Sequence, residues 1–239
     1  MSYPNLPPSL RKIHLLPQKD QEELLAYFQK KQRKPSDVWQ PQPKQYALLE
    51  LCGLADALNG GQVHPALSRI IGYGGAAGGG KTEGMIGAAL VALSQVPGVK
   101  IGYFRRKFTE LEGTDGPIER AMVLFPKIGG KYNKSKHVWR FGEDEQEDWN
   151  EGSAAALKFC HCQYESDVYQ YQSSAFDIIL WDEATHFTWS MVRYIMTRNR
   201  VSRASELPRP FAVFCSNPGG VGHLWYKKIF DIKDRIDEN

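Results

Sequence analysis

The segment that most constrains the fold runs from Gly75 to Thr82 and reads Gly-Ala-Ala-Gly-Gly-Gly-Lys-Thr. It matches G-x-x-x-x-G-K-[ST], the pattern of a phosphate-binding P-loop. An apolar run over residues 69–73 predicts a buried strand before it, and residues 83–95 predict a helix after it. A strand, a glycine loop and a helix start let backbone N–H groups converge on phosphate oxygens. The segment therefore predicts a nucleoside triphosphate site; the alternative is a glycine-rich turn with a chance Lys-Thr pair.

Each polar residue of this segment has an expected role. The Lys81 ammonium is predicted to reach the β- and γ-phosphates, and the Thr82 hydroxyl to ligate Mg²⁺. The predicted ATP-binding residues of the segment are Gly75, Ala76, Ala77, Gly78, Gly79, Gly80, Lys81 and Thr82.

A second motif lies about a hundred residues further on, where an apolar run from Ala175 to Trp181 ends in Asp182-Glu183. This is the Walker B arrangement, in which Asp182 holds Mg²⁺, mostly through water, and Glu183 orients and polarises the attacking water. The alternative is a chance acidic cap on a strand. The spacing accommodates intervening β/α units, and the adjacent glutamate favours hydrolysis over binding alone or phosphoryl transfer to a metabolite.

Composition limits the remaining possibilities. A chain of 239 residues with 42% hydrophobic residues suits one large α/β domain, and a net charge of +3 is too small to indicate a polyanionic partner by itself. The four cysteines lack the spacing of a disulfide framework, and Cys160-His-Cys162 is interpreted as a strand with buried thiols rather than a metal site. No apolar run reaches transmembrane length and no signal peptide is evident, so a reducing, intracellular compartment is expected.

The chain divides into three predicted parts. Residues 1–44 form an N-terminal arm with a helix over residues 18–31, residues 45–228 form the ATPase domain, and residues 229–239 form a C-terminal tail. A helix is predicted from Pro43 to Leu58. Near its start, the amide of Gln45 can hydrogen-bond an adenine edge; the alternative is an ordinary surface glutamine. Further strands are predicted at 99–104, 138–141, 155–161 and 209–215, and further helices at 116–125, 187–200 with Thr188 as N-cap, and 224 onward.

Three groups of residues at predicted strand and helix ends are candidates for function. Arg105, Arg106 and Lys107 follow a strand and can hold DNA or nucleotide phosphates, or form a solvated loop. Ser216 and Asn217 follow another strand and can sense the γ-phosphate, although Asn-Pro-Gly-Gly would make a β-turn in any case. Arg198 and Arg200 are candidate arginine fingers, acting in the same or a neighbouring subunit.

Taken in order, four segments resemble the ATPase domain of the large terminases of tailed bacteriophages. They are residues 75–82, 103–108, 176–187 and 216–219. The resemblance implies an α/β P-loop NTPase of the ASCE type, with a mainly parallel central sheet between helices. It implies that Lys81 and Thr82 are the Walker A pair and that Asp182 and Glu183 are the Walker B pair. Gln45 would be the adenine-reading glutamine, and Ser216 and Asn217 the coupling motif.

The resemblance also implies an activity and partners. The expected activity is ATP hydrolysis with Mg²⁺, driving double-stranded DNA into a procapsid in the host cell cytoplasm. The expected partners are the portal protein, a small terminase subunit and further copies of this chain in a ring, pentameric in the usual picture; no membrane partner is expected. Alternatives are a helicase-like translocase, a small-molecule or nucleotide kinase, and a P-loop scaffold without hydrolysis.

The sequence departs from the family pattern in two places. Many terminases carry an arginine inside the P-loop, whereas Ala76-Ala-Gly-Gly79 contains none. The charge-stabilising arginine is therefore expected from elsewhere. The family also carries a carboxylate-rich, RNase H-like nuclease region that is not found in these 239 residues, so nuclease activity is not expected from them.

Overall fold

A computed structural model describes residues 17–22, 33–74, 78–142, 149 and 153–232. The strands within these residues are Ile70–Gly74 (β1), Lys100–Arg105 (β2), Lys131–Asn133 (β3), Val138–Phe141 (β4), Ala155–His161 (β5), Ile178–Trp181 (β6) and Phe211–Ser216 (β7). In the described part of the chain they form one seven-stranded sheet in the order β1-β7-β6-β2-β5-β4-β3. The first five strands in that order are parallel, and β4 and β3 are added antiparallel. The predicted mainly parallel sheet is confirmed.

Helices cover both faces of this sheet. Those lying wholly within the described residues are Pro43–Leu51 (α1), Lys81–Gln95 (α2), Phe108–Glu112 (α3), Pro117–Leu124 (α4), Trp189–Met196 (α5) and His223–Ile229 (α6). Residues 18–22 are also helical, and the rest of the predicted helix over 18–31 lies outside the described residues. Short 3₁₀ helices occur at Pro35–Asp37, Asp56–Asn59, Phe125–Ile128, Glu165–Tyr171 and Ala184–His186.

The central strands are apolar throughout because both of their faces are covered. In β6, Ile178 and Leu180 point into the cluster formed with α1, α2 and α4, whereas Ile179 and Trp181 point into the cluster formed with α5 and α6. All four side chains are buried. A sheet buried on both faces therefore explains why the sequence shows continuous apolar runs rather than alternation.

Helix α2 is enclosed by its neighbours, and every residue from Gly84 to Leu93 is buried. Small residues in α2 let its neighbours approach closely. Gly87 is the clearest case, since a Cβ at this position would lie 2.1 Å from the Trp39 ring. Trp39 is 4% exposed and belongs to the core. The described end of the predicted N-terminal arm thus packs on the domain instead of extending into solvent.

Helix α1 ends earlier than predicted, at Leu51 rather than Leu58. The N–H of Leu54 donates to the Leu49 carbonyl and that of Gly53 to the Glu50 carbonyl, which is a Schellman motif. Gly53 takes the required left-handed conformation at φ +70°. The prediction was wrong because apolar periodicity continued past a glycine that stops the helix.

Helix α5 is also shorter than the predicted 187–200, although the Thr188 side chain caps it as predicted, accepting from the Met191 N–H. The segment after the helix is held at the amino end of β6. Phe176 N–H donates to the Arg198 carbonyl, and Arg200 N–H donates to the Phe176 carbonyl. Asn199 donates to three further carbonyls there, those of Phe176, Asp177 and Phe211. These hydrogen bonds stabilise residues 198–200 in a non-helical conformation, so α5 does not continue to residue 200.

The predicted buried thiols are confirmed. Cys160 and Cys162 are buried and free, as are Cys52 and Cys215. Across the described ranges, no cluster of three or more His, Cys, Asp or Glu side chains suited to a metal is found. Within those same ranges, no helix has both the length and the apolar character needed to cross a bilayer.

Candidate functional site

The carboxyl ends of four adjacent strands bring the predicted motifs together. β1 leads into the P-loop, and its last residue, Gly74, pairs with Ser216 at the end of β7. Trp181, directly before Asp182, pairs with Phe104, directly before Arg105. Ligands of open α/β sheets bind at this edge. The sheet therefore places the P-loop, the acidic turn, the polar end of β7 and one arginine at a single edge.

Part of the P-loop can be described. Gly75, Ala76 and Ala77 lie outside the described residues, so their ATP-binding roles stay predictions. Gly78 and Gly80 take left-handed conformations at φ +74° and +67°, which favour glycine. Gly80 is the N-cap of α2, and Lys81 and Thr82 open that helix. A helix start with glycines of this kind is suited to binding an anion.

Asp182 is almost fully enclosed, with a side chain 1% exposed. Its Oδ2 accepts from Tyr103 OH at 2.8 Å and from Thr82 Oγ1 at 3.4 Å. Arg105 Nε lies 2.9 Å from the same oxygen. Burial raises the pKa of Asp182, and the neighbouring Glu183 adds to this, while Arg105, Tyr103 and Thr82 oppose it.

Glu183 and Asn217 connect the acidic turn to the P-loop. Glu183 has a left-handed backbone at φ +52°, which turns the chain directly after Asp182. Asn217 Nδ2 donates to Glu183 Oε1 at 3.2 Å, and its Oδ1 accepts from Lys81 Nζ at 2.8 Å. One carboxamide therefore bridges the predicted Walker A lysine and the predicted Walker B glutamate.

Thr185 joins the same turn to the end of β7. Its Oγ1 lies 2.7 Å from Ser216 Oγ and donates to the Asn217 carbonyl at 3.3 Å, and its N–H donates to Ser216 Oγ at 3.2 Å. Gly222 N–H in turn donates to the Thr185 carbonyl at 2.7 Å. The coupling residues predicted at 216 and 217 are thus hydrogen-bonded to the acidic turn, which is in turn bonded to the loop leading into α6.

A cavity of about 690 Å³ opens over these groups. Its walls are formed by Gly78 to Glu83, by Glu183 and Asn217, and by the start of α4. Arg120 in α4 lines the cavity and is paired through Nε and Nη2 with the Glu83 carboxylate. Glu83 Oε1 also accepts from Trp39 Nε1 at 2.8 Å. The cavity is polar at the P-loop and large enough for a small molecule.

Gln45 lies beside this cavity but is engaged by the backbone. It is 2% exposed, its Nε2 donates to the Gly80 carbonyl at 3.0 Å, and its Oε1 accepts from the Gln42 N–H at 2.8 Å. In this structure Gln45 ties α1 to the P-loop. The adenine-reading role of Gln45 stays a prediction. For that role, the Gln45 amide would have to release the Gly80 carbonyl and the Gln42 N–H and bind the edge of the base instead.

The structure places the predicted cationic residues in different parts of the molecule. Arg105 is directed into the site, Arg106 contacts the Met191 sulfur, and Lys107 is the N-cap of α3. Arg198 and Arg200 flank Phe176 at the amino end of β6, six residues before Asp182, which corresponds to about 20 Å along a strand. They cannot reach the site of their own chain, so a finger role for them stays a prediction for a neighbouring subunit.

Three contributors to the site were not predicted from the sequence. Tyr103 appears as an apolar strand residue, and its hydroxyl bond to Asp182 requires knowing that β2 pairs with β6. Arg120 lies in an amphipathic helix, where an arginine is ordinarily a solvated residue. Thr185 follows Glu183 by two residues, so its place in the acidic turn could have been predicted from the sequence.

The fold and this edge define the class: the chain has the fold of a P-loop NTPase, with β7 inserted between the P-loop strand and the acidic strand. Solved structures similar to this chain include large terminases of phages. The large terminase of a thermophilic bacteriophage in complex with ADP matches 80% of this chain at a TM-score of 0.55 and 14% identity. A mutant ATPase domain of the Thermus phage P74-26 large terminase matches 84% at a TM-score of 0.52 and 12% identity.

The extent of these matches is uneven. This chain spans 43% of the thermophilic bacteriophage terminase and 74% of the Thermus phage domain. No family model and no curated protein matches the sequence. The shared property is therefore the fold, in agreement with the resemblance found in the four sequence segments.

Proposed function

We propose that this chain is the ATP-hydrolysing domain of a viral DNA-packaging terminase. The observation that carries the proposal is the hydrogen-bonded network at one sheet edge. Asn217 joins Lys81 to Glu183, and Thr82 meets Asp182, beside a cavity bounded by the P-loop. Binding a triphosphate alone requires no carboxylate poised at the end of β6. The pairing of a P-loop with Asp-Glu therefore supports hydrolysis.

Mg²⁺ fits the groups present. Thr82 Oγ1 and Asp182 Oδ2 are 3.4 Å apart, and Mg²⁺ characteristically takes one or two protein oxygens, completing its shell with water and substrate phosphates. The burial that raises the pKa of Asp182 leaves its negative charge poorly solvated, which favours a cation nearby. When bound, the ion would neutralise phosphate charge during transfer.

The residues of this chain would divide the hydrolytic step as follows. The N-terminus of α2 and Lys81 hold the phosphates of ATP. Glu183 orients a water for attack on the γ-phosphorus and takes up its proton. The new P–O bond to water forms as the bond to the β,γ-bridging oxygen breaks with its electron pair, yielding ADP and inorganic phosphate. The proton then leaves Glu183 for solvent.

Asn217 would couple phosphate release to movement. With ATP bound, the phosphates compete for Lys81, and with water in place Glu183 has a new partner. Both changes alter the two bonds of the Asn217 carboxamide. Its carbonyl is bonded to Thr185, whose own carbonyl holds Gly222 before α6. A chain of direct contacts therefore runs from the phosphate site to a surface helix.

The wider role is DNA packaging. In this proposal, copies of the chain form a ring, pentameric by analogy, on the portal protein in the host cell cytoplasm, and a small terminase subunit supplies double-stranded DNA. The support is the terminase-like order of the four sequence segments together with the fold shared with phage large terminase domains. Arg106 and Lys107 stay candidate DNA contacts, whereas contact through Arg105 would require it to leave Asp182.

The test is release of inorganic phosphate from ATP by the full chain, with no phosphate acceptor added. Glu183→Gln is expected to bind ATP normally and to lower turnover by about 10²–10⁴, the usual contribution of a positioned base. Lys81→Ala is expected to weaken ATP binding as well. Glu206→Gln, an exposed residue before β7, is the matched control and should match wild type.

Two results would contradict the proposal. If the unaltered chain bound no ATP, the nucleotide site would be wrong. If Glu183→Gln released phosphate at the normal rate, the assignment of the water-activating carboxylate would be wrong. Release of phosphate only in the presence of a small-molecule acceptor, as its phosphorylated product, would instead identify a kinase.

A further inference from the structure

This inference rests on the proposed ATPase function and concerns the missing arginine. The transferring phosphoryl group develops charge that an arginine commonly stabilises, yet residues 75–82 contain none. Arg198 and Arg200 lie at the opposite edge of the sheet in their own chain. Among the described residues, the arginines that line a cavity at the catalytic edge are Arg120 and Arg105.

Arg120 is poorly suited to this role. Its Nε and Nη2 both donate to the Glu83 carboxylate, and this carboxylate is fixed by Trp39 on its other side. A bidentate carboxylate pair neutralises the guanidinium and fixes its direction. Arg120 would have to break two charge-assisted bonds, leaving Glu83 without its counter-charge.

Arg105 is placed differently. Its side chain is 18% exposed, its Nε lies 2.9 Å from Asp182 Oδ2, and its Nη1 donates to the Glu110 carbonyl rather than to a carboxylate. That oxygen already accepts from Tyr103 and Thr82, and the Arg105 N–H is not directed along the line to it. Within the described residues, Nε is a buried donor without a hydrogen-bond partner. Buried donors of this kind are uncommon and costly, which points to an acceptor supplied by a ligand.

The surroundings of Arg105 indicate where that acceptor lies. Arg105 lines a second cavity, of about 280 Å³, whose walls include Glu183 and Asn217. The same two residues line the P-loop cavity. Arg105 therefore borders the same two residues, Glu183 and Asn217, that border the P-loop cavity, and the γ-phosphoryl group and the attacking water would be found beside them.

We propose that Arg105 is the charge-stabilising arginine of this ATPase and that it acts within its own subunit. Before substrate binds, its guanidinium lies against Asp182. Asp182 and Thr82 would hold Mg²⁺ when ATP is bound, which would supply the counter-charge of Asp182 and leave the Arg105 guanidinium to donate to an oxygen of the γ-phosphoryl group. The unsatisfied Nε is then satisfied in the state that leads to hydrolysis.

A purely positioning role for Arg105, as the partner of Asp182, makes a different prediction. It would affect ADP and a transition-state mimic alike, because both need the same Mg²⁺ site. Direct contact with the phosphoryl group affects the mimic selectively, since binding gained only in the transition state is absent from the product complex. The two roles are separated by comparing Mg²⁺·ADP with Mg²⁺·ADP and aluminium fluoride.

The experiment measures the affinity of a fluorescent ADP derivative for the full chain, with and without aluminium fluoride. For Arg105→Ala we expect ADP affinity within about threefold of wild type and affinity in aluminium fluoride at least about 100-fold weaker, the lower range for transition-state analogues. Arg105→Lys should lie between the two, because it keeps the charge and loses the fork. Arg209→Ala, at the start of β7 on the opposite edge, is the matched control and should match wild type.

Mixing experiments distinguish the same subunit from its neighbour. In a mixture of Arg105→Ala and Lys81→Ala chains, the affinity for fluorescent ADP in aluminium fluoride should stay as weak as in the separate variants, because each chain lacks a group of its own site. Recovery in the mixture would show that Arg105 acts across subunits and would overturn the inference. Equal losses for ADP and for the mimic, or no loss for the mimic, would also overturn it. Failure of the unaltered chain to bind ADP would instead remove the proposed function.

Should Arg105→Ala fail to fold, Arg105→Gln keeps the side chain as far as the position of Nε and two donor hydrogens while removing the charge. Its thermal unfolding and its ADP affinity establish that the site is intact. The same selective loss toward aluminium fluoride is expected, and its absence would count against the inference in the same way.

Discussion

At the scale of single residues, the site is a chain of exchangeable polar contacts around one buried carboxylate. Asp182 is shielded from water, and its Oδ2 accepts two hydrogen bonds and lies beside the Arg105 guanidinium, while Glu183 and Lys81 share the two ends of Asn217. No described contact of Glu183 fixes it as tightly as Asp182 is fixed. The buried acid is thus suited to hold a cation in place, and the more exposed one to exchange water.

Asn217 is the residue in which this division can be tested. Asn217→Ala removes both bonds of the carboxamide, and hydrogen bonds to charged groups contribute about 1.5–3 kcal/mol each. We expect turnover at saturating ATP to fall roughly tenfold to a hundredfold, with the affinity for ATP changed little, because the P-loop backbone is intact. Steady-state phosphate release gives both quantities. Asn133→Ala, at the end of the edge strand β3, is the control, and unchanged turnover for Asn217→Ala would contradict the proposed coupling.

The residues that sequence reasoning assembled correctly share a physical property. Asp182 and Asn217 directly follow strands, Lys81 and Thr82 follow β1 through the P-loop, and parallel strand ends meet at one edge. Arg105 follows a strand too, but it was interpreted as a candidate DNA contact. Its approach to Asp182 depends on β2 lying next to β6 across a separation of some eighty residues, which local patterns do not specify.

At the scale of elements, the nucleotide helix is positioned by a tryptophan from outside the predicted domain boundary. Trp39 fits the notch left by Gly87 in α2, and its ring N–H donates to Glu83 in the first turn of the same helix. Glu83 also binds Arg120 of α4. One indole therefore joins the segment before α1, the P-loop helix and α4.

Gly87→Ala tests this junction. Alanine favours helix over glycine by up to about 1 kcal/mol. A Cβ at this position, however, would lie 2.1 Å from the Trp39 ring and force it out. We expect a net loss of roughly 2–4 kcal/mol in unfolding free energy, as for overpacked or displaced large core side chains. Urea denaturation measures it. Gly113→Ala is the control, since its Cβ would meet only Thr109 O at 3.4 Å, and a stabilised Gly87→Ala would show that Trp39 does not occupy the notch.

At the scale of the whole molecule, the two edges of the sheet have different tasks. The carboxyl edge carries the exchangeable site. At the amino edge, Asp177 accepts from the Lys100 N–H and from both the N–H and hydroxyl of Ser202, and Asn199 bridges three carbonyls. Burial raises the pKa of Asp177 while these donors oppose the rise. The amino edge is therefore held by hydrogen bonds that the nucleotide does not touch, whereas the bonds of Asn217 at the carboxyl edge would be exchanged when nucleotide binds. This difference suits a domain in which changes begin at the nucleotide site.

The four buried cysteines make the integrity of this core measurable. Burial raises the pKa of Cys160 to about 12 and those of Cys52, Cys162 and Cys215 further, against an ordinary value of 9.0. Between the unfolded and folded pKa, unfolded thiols lose protons that folded ones retain, so folding stability is full below pH 9 and declines above it. We expect the unfolding free energy to fall from pH 8 to pH 10, approaching about 1.4 kcal/mol per pH unit for each thiol ionised. Urea denaturation at the two pH values measures the fall, and Cys52→Ala should reduce it by removing one of the four groups. Thiols that reacted with a thiol reagent at pH 8 as fast in the folded protein as in urea would contradict their burial on the two faces of the sheet.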